Sequence, residues 1–590
     1  MIQNARARTF LTSPGTWAIC LTLTYLVILS VRPTESWFGV PGQWTWSGRP
    51  PSPSTVPRWL PAIVVLLLML FGGLVLDRRW QKLKRQHHLI ALCCLAALIP
   101  ISQVALKYIH YRFPMEYYLF RTIGPHNGFW QASVAIESLL DYLKTYPDQM
   151  RAMRGIYVHL PVHPPGNVVY LWGWRKLFEW LPQVGYTVAH WFRGYNCADV
   201  GFVTLENAQI ASALGQIAVL IFSGLTILPL YVWTSDLADR QTAWRACVLY
   251  SFTPALGLFT MRWDSVYPLF SALAFALIHR GIVTKRVGYW FAGGLAVSIA
   301  SFCSFGNATL APAVALYAAL HLLDAERDRL LATWPRWLAL IAGGYTVWGA
   351  YHLATGVMVW EIFTVTLETH LNLGRTYWPW IFYNLYDLAV FAGIGTTALC
   401  WQAIRRVSYP RRSLYFPFYA AISVILLMNF SGVVRGEVGR MWLPWAPVLC
   451  LTAAIASKQL SGWALASLAA ALVALQSLWM ALFLRVSPTG MPGYVPRPVT
   501  AVAQAEAKPD RPFTILPGAA FQSNIELVGY DIPEEVQAGS NIDVALYWSA
   551  SQRPDLPYTV FVHIADKDGE VIAQHDAMPA NNQLPTSCWL

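Results

Sequence analysis

The acidic residues best suited to chemistry lie at the ends of apolar segments. Glu116 precedes Tyr117 and Tyr118 in a long connection from about residue 107 to residue 205. Apolar and aromatic surroundings raise the pKa of a carboxyl group, and such a carboxylate is suited to taking a proton from a hydroxyl group. We therefore interpret Glu116 as a candidate active-site residue. Asp264 is the second acidic candidate.

Each acid also has a purely structural interpretation. Glu116 would be satisfied by an ion pair with Arg112 or Arg121, and Asp264 by an ion pair with Arg262 at the start of a helix. Ion pairs of this kind are common at protein surfaces and carry no chemistry. The sequence leaves both interpretations open.

Basic residues form a second group of candidates. Arg435 and Arg440 flank Glu437 in a short connection that also contains Gly436 and Gly439. Because guanidinium groups bind phosphate through paired hydrogen bonds, this pattern predicts a phosphate clamp. The alternative is a charged hairpin in which Glu437 pairs with either arginine.

Further candidates for binding a phosphate or a sugar lie in the long connection. They are His126, His163 and Arg121. His163 begins a His-Pro-Pro-Gly sequence, in which the prolines stiffen the turn. His159 lies four residues before it, but intervening prolines exclude a regular helix, and no zinc signature occurs. Walker and dinucleotide-binding glycine patterns are also missing, so a soluble nucleotide-sugar donor has no recognisable site.

The composition is that of a polytopic membrane protein. Of 590 residues, 56% are hydrophobic and only 12% are charged, which is too few to cover a soluble fold. Most of the nine cysteines lie in or beside apolar runs, where a thiol behaves as a small hydrophobic group, and Cys197 and Cys588 have no clear reason to pair. About thirteen runs are long enough to cross the hydrocarbon core. The predicted spans are at about 16–31, 59–76, 89–106, 208–233, 244–260, 265–280, 289–304, 307–323, 337–355, 381–403, 414–431, 442–457 and 462–484.

Clusters of lysine and arginine predict the orientation. If the N-terminus is cytoplasmic, the clusters fall in cytoplasmic connections, as the positive-inside rule requires. The long connection, Asp264, the Arg435 to Arg440 connection and the C-terminus are then external. We expect a multi-pass protein of the plasma membrane. The clusters are at 78–85, 280–286, 327–329 and 405–412.

Two segments of the long connection predict helices that lie in the membrane interface. Residues 167–181 are apolar but contain Arg175, Lys176 and Glu179, and they are shorter than the roughly 20 residues of a crossing helix. Residues 131–145 have an apolar face opposed by charged side chains, which predicts one amphipathic helix.

The composition changes after residue 484. Short runs at 542–548 and 558–564 have β character, and Asp568-Gly569 is typical of a hairpin turn. We therefore predict an all-α polytopic membrane protein with a small C-terminal β-sandwich. Its parts are N-terminal transmembrane helices (1–106), a large external loop with interfacial helices (107–207), a transmembrane bundle (208–487), a linker (488–512) and an external β-sandwich (513–590).

The order of these elements resembles that of the GT-C glycosyltransferases, in particular the branch of protein O-mannosyltransferases and aminoarabinose transferases. The matching features are Glu116 in the large external loop, the following His163-Pro164-Pro165, and Asp264 in Arg262-Trp263-Asp264-Ser265. The resemblance covers most of residues 89–484. The chain departs from the pattern in offering one glutamate where the family has an Asp-Glu pair, and in two additional spans before the loop.

The C-terminal segment resembles β-domains appended to members of this family. In those domains the pattern around Pro585-Thr586-Ser587 continues further. We therefore expect the β-domain of this chain to be truncated.

The resemblance implies transfer of a sugar from a polyprenyl-phosphate donor to an acceptor hydroxyl at the outer face, with inversion. The partners would be the lipid-linked donor, a protein, lipid or glycan acceptor, and membrane lipids, with no nucleic acid. No residue is assigned to a metal, and the sequence leaves a metal requirement open. The catalytic residues would be Glu116 and Asp264, and the donor-phosphate or substrate ligands Arg435, Glu437, Arg440, His163, His126 and Arg121.

Two alternatives belong to other classes of protein. A lipid or polysaccharide transporter would be expected to have polar residues in the middle of its spans or a repeated half, and neither is evident. An inactive relative would act through the β-domain, by binding glycan or another envelope protein.

Overall fold

The structure is a computed structural model that describes most of the chain. The described residues are 13–31, 38–48, 51–124, 126–196, 200–325, 332–371, 374–405, 412–460, 462–485, 514–521, 525–537, 539–552, 554, 556, 558–579, 586 and 589. Five predicted features lie outside them, namely the linker at 488–512, Cys197, Cys588, the cluster at 327–329, and the part of the last cluster at 406–411.

The chain divides into two compact units. The first comprises Met1–Pro114, Pro125–Tyr170 and Gln216–Gly490, and the second comprises Met115–Gly124, Leu171–Gly215 and Met491–Leu590.

The described chain is mostly helical. In chain order the helices are α1 (Pro14–Val31), α2 (Trp59–Arg79), α3 (Arg85–Tyr108), α4 (Pro114–Ile123), α5 (Phe129–Ala135), α6 (Leu139–Lys144), α7 (Tyr146–Ala152), α8 (Gly166–Trp180), α9 (Pro182–Tyr195), α10 (Val200–Val203), α11 (Asn207–Ala211), α12 (Ala213–Leu225), α13 (Ile227–Leu237), α14 (Arg240–Ser251), α15 (Pro254–Leu258), α16 (Tyr267–Thr284), α17 (Val287–Cys303), α18 (Leu310–Ala325), α19 (Trp334–Thr355), α20 (Val359–Leu371), α21 (Tyr377–Ala392), α22 (Ile394–Arg405), α23 (Phe416–Ser431), α24 (Val438–Met441), α25 (Ala446–Leu460) and α26 (Trp463–Phe483).

The membrane character predicted from composition is supported by the helix lengths. Within the described residues, nine helical stretches are long and apolar enough to cross a membrane, or ten if α19 and α20, which meet at 105°, form one broken span. The nine are Pro14–Val31, Pro53–Lys82, Arg85–Tyr108, Asn207–Leu237, Trp263–Thr284, Phe305–Ala325, Arg412–Ser431, Val438–Leu460 and Trp463–Phe483.

The predicted count of thirteen is not confirmed, because four predicted spans are interrupted, bent or short. The span at 244–260 divides into α14 and α15, and that at 381–403 divides into α21 and α22 at Gly393. The span at 289–304 is α17, which has only 17 residues. The span at 337–355 is α19, which bends into α20.

Ion pairs within the first unit join helix ends that the alternating topology places on one side. Each pair has a nitrogen to oxygen distance of 2.7–3.0 Å. The pairs therefore tie these helix ends to one another. The pairs are Asp77 with Arg245, Asp236 with Arg280, Asp324 with Arg412, and Asp239 with Lys458.

The long connection is more broken than predicted. Residues 131–145 do not form one helix, because α5 ends at Ala135 and α6 begins at Leu139. Ile136 is extended, and the Ser138 hydroxyl accepts a hydrogen bond from the Asp141 N–H, so Ser138 caps a new helix. The helix predicted at 167–181 is present as α8, with bounds that agree within one residue.

Short strands make up the described C-terminal region of the second unit. Strands β1 (Thr514–Phe521), β2 (Ile525–Asp531) and β3 (Ala545–Ala550) form an antiparallel sheet in the order β1-β2-β3. Strands β4 (Val560–Ala565) and β5 (Val571–Ala577) form a hairpin, with Gly569 at a φ of 86° in its turn. The predicted hairpin turn is therefore confirmed, whereas the sandwich is not.

A short segment between α1 and α2, residues 38–48, is here named the strap. It contains Gly39–Val40, which pairs with Trp44–Thr45, and Ser47–Gly48, which pairs with Leu484–Arg485 at the end of α26. The indole of Trp46 is buried between the rings of Phe259 and Phe391, at centroid distances of 5.4 and 5.0 Å. The strap is thus fastened to the last helix and to the interior of the first unit.

Helices α17 and α19 approach each other closely through glycines. A Cβ atom at Gly343 would overlap the carbonyl oxygen of Phe291, and one at Gly294 would overlap the carbonyl of Leu340. Small residues at such contacts let membrane helices pack backbone to backbone. In contrast, a Cβ atom at the adjacent Gly344 would have nothing within 4 Å.

We therefore expect Gly343→Ala to destabilise the protein, since overpacking costs about 1–3 kcal/mol. Gly344→Ala is the matched control on the same helix, and it should be neutral or stabilising because alanine favours helix more than glycine does. Thermal unfolding of both variants in detergent would measure the difference. Equal transitions for the two variants would contradict the close packing of α17 and α19.

Candidate functional site

The predicted Arg435 to Arg440 connection forms a tight turn between α23 and α24. Gly432, Gly436 and Glu437 all have positive φ, with Glu437 at 61°. Asn384 of α21 fixes this turn, because its side-chain oxygen accepts from the Gly436 N–H at 3.0 Å. A non-glycine residue in the left-handed region stores strain, which proteins tend to keep at functional sites.

Four charged side chains meet beside this turn, and we name them the ionic network. Arg440 donates from Nη1 to Asp264 Oδ2 at 3.1 Å and from Nη2 to Glu437 Oε2 at 2.6 Å. Arg375 donates from Nη2 to Glu437 Oε1 at 2.8 Å. All four side chains are only 11–17% exposed. The network therefore links three places in the first unit: the 3-10 turn Trp263–Ser265, the start of α21 at Tyr377 and the start of α24 at Val438.

Glu437 is held as an anion by this arrangement. Burial alone would raise its pKa, but the opposing charges of Arg440 and Arg375 and their hydrogen bonds lower it to about 2. A carboxylate with so low a pKa is a poor proton acceptor near neutral pH. Glu437 is therefore suited to positioning the two arginines.

Arg435 makes different contacts from those of Arg440. Its Nε donates to the carbonyl of Gly432 at 2.8 Å, and its Nη1 donates to the carbonyl of Arg375 at 2.7 Å. Arg375 in turn donates to the carbonyl of Arg435. Arg435 thus joins two turns through backbone atoms, which gives it a structural task whether or not it also contacts phosphate.

Asp264 pairs with Arg440 and not with the neighbouring Arg262 that the sequence suggested. It lies in a 3-10 turn, Trp263–Ser265, directly before α16. Met261, just before this turn, has a φ of 61°, and its carbonyl accepts from the side chain of Gln216 at 2.8 Å. Of the three described non-glycine residues with positive φ, Glu437 therefore belongs to the ionic network and Met261 lies three residues before Asp264.

Three histidines of the long connection lie together, and we name them the histidine cluster. The ring centroid of His159 is 5.1 Å from that of His126 and 6.1 Å from that of His163. Burial lowers the pKa of His159 well below its usual value, and the nearby charges of Arg440 and Arg262 lower it further. His159 is therefore neutral at neutral pH, in a neighbourhood of positive potential.

The His-Pro-Pro-Gly sequence has a packing explanation. Pro161 lies in a 3-10 turn, Leu160–Val162, so a regular helix through His159 and His163 is excluded, as predicted. A Cβ atom at Gly166 would overlap the carbonyl of Phe302 near the end of α17. The glycine allows this close approach, which fixes the start of α8.

Glu116 and Arg121 belong to the second unit. Glu116 lies half-buried in the first turn of α4, and Arg121 lies in its last turn. Burial raises the pKa of Glu116, which agrees with the prediction from its aromatic neighbours. No residue that the structure describes forms an ion pair with Glu116, so the structural alternative of a pair with Arg121 finds no support.

Several residues at the site were given no role from the sequence. His159 was considered only as a metal ligand, and Arg262 only as a partner for Asp264. Arg375 is one of the charged residues at the predicted external ends of spans, where arginine is depleted, but its type alone indicates no partner. In the described part of the chain, no group of three or more His, Cys, Asp or Glu side chains could hold a metal ion.

The chain was compared with models of known protein families and with curated proteins, and neither comparison found a match. The function must therefore be argued from the geometry of the site.

We expect Glu437→Gln to lower the free energy of unfolding by about 3–5 kcal/mol, because breaking a buried ion pair leaves uncompensated charge. The pKa of Glu437 falls from 4.5 to about 2 on folding, so its contribution is complete above about pH 4.5 and is lost as the pH falls toward 2. Thermal unfolding from pH 7 to pH 3 would show this pH-dependent component in the wild type and not in the variant.

The matched control is Glu179→Gln, which also breaks two ion pairs, with Arg175 and Lys176, but at a more exposed position. It should cost no more than about 1 kcal/mol. A loss as large as that of Glu437→Gln would contradict a special role for the ionic network.

Proposed function

We propose that this protein is an inverting glycosyltransferase of the plasma membrane. It transfers a sugar from a polyprenyl-phosphate carrier to an acceptor hydroxyl at the outer face. The observation that carries the proposal is the Arg440 guanidinium bonded to Asp264 at 3.1 Å, with Arg262 two residues before Asp264, at the start of the membrane-length apolar stretch Trp263–Thr284. Cationic donors next to a carboxylate suit a reaction in which phosphate departs and a hydroxyl group attacks.

The basic side chains would hold the departing phosphate. When the bond between the anomeric carbon and the phosphate oxygen breaks, its electron pair leaves with the polyprenyl phosphate, on which negative charge develops. Guanidinium groups stabilise such charge through charge-assisted hydrogen bonds. Arg262 and Arg440, with donated N–H groups from His159, His163 and His126, are the proposed ligands, and Arg435 and Arg121 remain candidates.

Glu116 is the proposed general base. The acceptor oxygen forms the new bond to the anomeric carbon from the face opposite the phosphate, and its proton passes to Glu116. A raised pKa brings a carboxyl group closer to the pH at which it works, which favours proton transfer. Asp264, fixed by Arg440 at 3.1 Å, is proposed to orient a substrate hydroxyl.

Two buried indole N–H groups support a ligand rich in hydrogen-bond acceptors. The Nε1 atoms of Trp263, beside Asp264, and of Trp442, two residues after Arg440, are buried and have no hydrogen-bond partner among the described residues. A buried donor left unpaired costs about 1–3 kcal/mol. Sugar hydroxyls and phosphate oxygens are acceptors that would satisfy such groups.

The proposal keeps the predicted sidedness. The proposal has thirteen crossings, four of them through interrupted, bent or short helices. The N-terminus would then be cytoplasmic, and both the ionic network and the C-terminal β-sandwich would lie outside. The lysine and arginine clusters at 78–85 and 280–286 support this orientation through the positive-inside rule. The acceptor is a protein, a lipid or a glycan.

Transfer of radiolabelled sugar in reconstituted vesicles tests the reaction directly. With polyprenyl-phosphate mannose, glucose or arabinose-type donors, we expect the wild type to label an acceptor and Glu116→Gln to lose at least about 100-fold in kcat, as for loss of a general base. Asp264→Asn should also lower kcat, with the protein still folded. Failure of every donor to transfer, with donor shown to be bound, would favour a transporter or a binding protein.

Binding of the donor phosphate is tested by Arg262→Ala. Loss of a hydrogen bond to a charged group costs about 1.5–3 kcal/mol, so the KM for the donor should rise about 10-fold to 100-fold. The matched control is Arg154→Ala, because Arg154 is an arginine of the long connection that pairs with Glu368 at 2.9 Å and has no contact with a member of the ionic network. Equal effects of the two substitutions on donor KM would contradict the assignment of Arg262.

A further inference from the structure

A glutamine of the strap forms hydrogen bonds directly beside an arginine of the ionic network. Gln43 Oε1 accepts from the Thr376 N–H at 2.8 Å and from the indole N–H of Trp380 at 3.0 Å, and its Nε2 donates to Thr376 Oγ1 at 3.0 Å. Thr376 immediately follows Arg375. Gln43 therefore fixes the backbone that carries one arginine of the network.

Two aromatic rings lie against the same arginine. The Arg375 guanidinium is 5.3 Å from the ring centroid of Trp44 and 5.9 Å from that of Trp380. A cation over an aromatic face is stabilised, and more so when it is shielded from water. Trp44 of the strap thus restricts Arg375 from one side while Glu437 holds it from another.

The remainder of the strap is anchored independently of this contact. The indole N–H of Trp46 donates to Asp387 Oδ2 at 3.0 Å, and Asp387 is buried within α21. A carboxyl group at such a position needs a polar partner, since hydrocarbon surroundings offer none. The Trp46 contact keeps Gln43 and Trp44 over the start of α21.

We propose that the strap is a positioning element for the transfer reaction, in which Gln43 and Trp44 act as positioning residues. Gln43 and Trp44 restrain Arg375. Arg375 and Arg440 each bind one carboxylate oxygen of Glu437, and Arg440 also binds Asp264. The inference rests on the proposed function. It assigns a task to the two N-terminal helices that the sequence resemblance left without one, because the strap is the connection between them.

The test uses the full-length protein with two independent measurements. The first is hydrogen exchange of the turn that carries Glu437, where the amides of Arg440 and Met441 both bond to the Glu437 carbonyl at 3.2 Å. If the strap orders this turn through Arg375, Gln43→Ala should increase exchange there. The second is steady-state transfer, in which Gln43→Ala should lower kcat about tenfold and change the donor KM less than about twofold, as expected for misplacement of reacting groups.

Conservative variants separate positioning from general destabilisation. Gln43→Glu keeps the oxygen that accepts from Thr376 and Trp380, so it should recover most of kcat. Trp44→Phe keeps a ring beside Arg375 and loses no hydrogen bond to a described residue, so it should stay close to the wild type, whereas Trp44→Ala should not. The control is Gln81→Ala, which removes a glutamine side chain bonded to Gln241 at 3.3 Å, far along the chain from the strap.

Each combination of results either supports or overturns the positioning role of the strap. Increased exchange with a lowered kcat and an unchanged donor KM supports the proposal. Unchanged exchange in Gln43→Ala overturns the proposal whatever the activity, and increased exchange with unchanged kcat overturns the positioning role. If the wild type transfers no sugar, the proposed function and the role in catalysis both fail, while the exchange result still shows whether the strap orders the turn.

Discussion

The arrangement of this site depends on the guanidinium of Arg440, which is shared between Glu437 and Asp264. A buried cation is tolerated only when opposite charges and hydrogen bonds replace its hydration. Arg440 meets this requirement with carboxylates from two turns that are far apart in sequence. Glu437 itself has a positive φ, and Met261, with a positive φ, lies just before the turn that carries Asp264, so the ion pairs also offset backbone strain. Loss of this cation would free both turns.

Hydropathy was sufficient to find the helices of the membrane region, because a crossing segment must be long and apolar. Hydropathy was not sufficient to predict how many continuous helices the region contains. The predicted span at 381–403 breaks at Gly393, and the one at 337–355 turns through 105° into α20. Such breaks are determined by packing against neighbouring helices, and a running average of apolarity does not record them.

The sequence identifies some contacts of the candidate site but not others. Glu437 and Arg440 could be paired from their spacing, since they are adjacent on one short turn. The partner of Asp264 could not, because it lies 176 positions away and only folding brings the two together. Residue type alone predicts the same phosphate-binding role for Arg435 and Arg440. In the structure the Arg435 nitrogens donate to backbone carbonyls, whereas those of Arg440 donate to carboxylates. The contacts of Gln43 had no signature at all in the sequence.

Counting charge indicates which groups would recognise an anion. The ionic network contains two arginines and two carboxylates, so its charges balance, and Arg440 would offer a phosphate hydrogen bonds but little net charge. Net attraction must then come from groups outside the network such as Arg262, whose positive charge adds to burial in lowering the pKa of His159. Binding of a phosphate would favour the protonated form of His159, because an adjacent anion stabilises it.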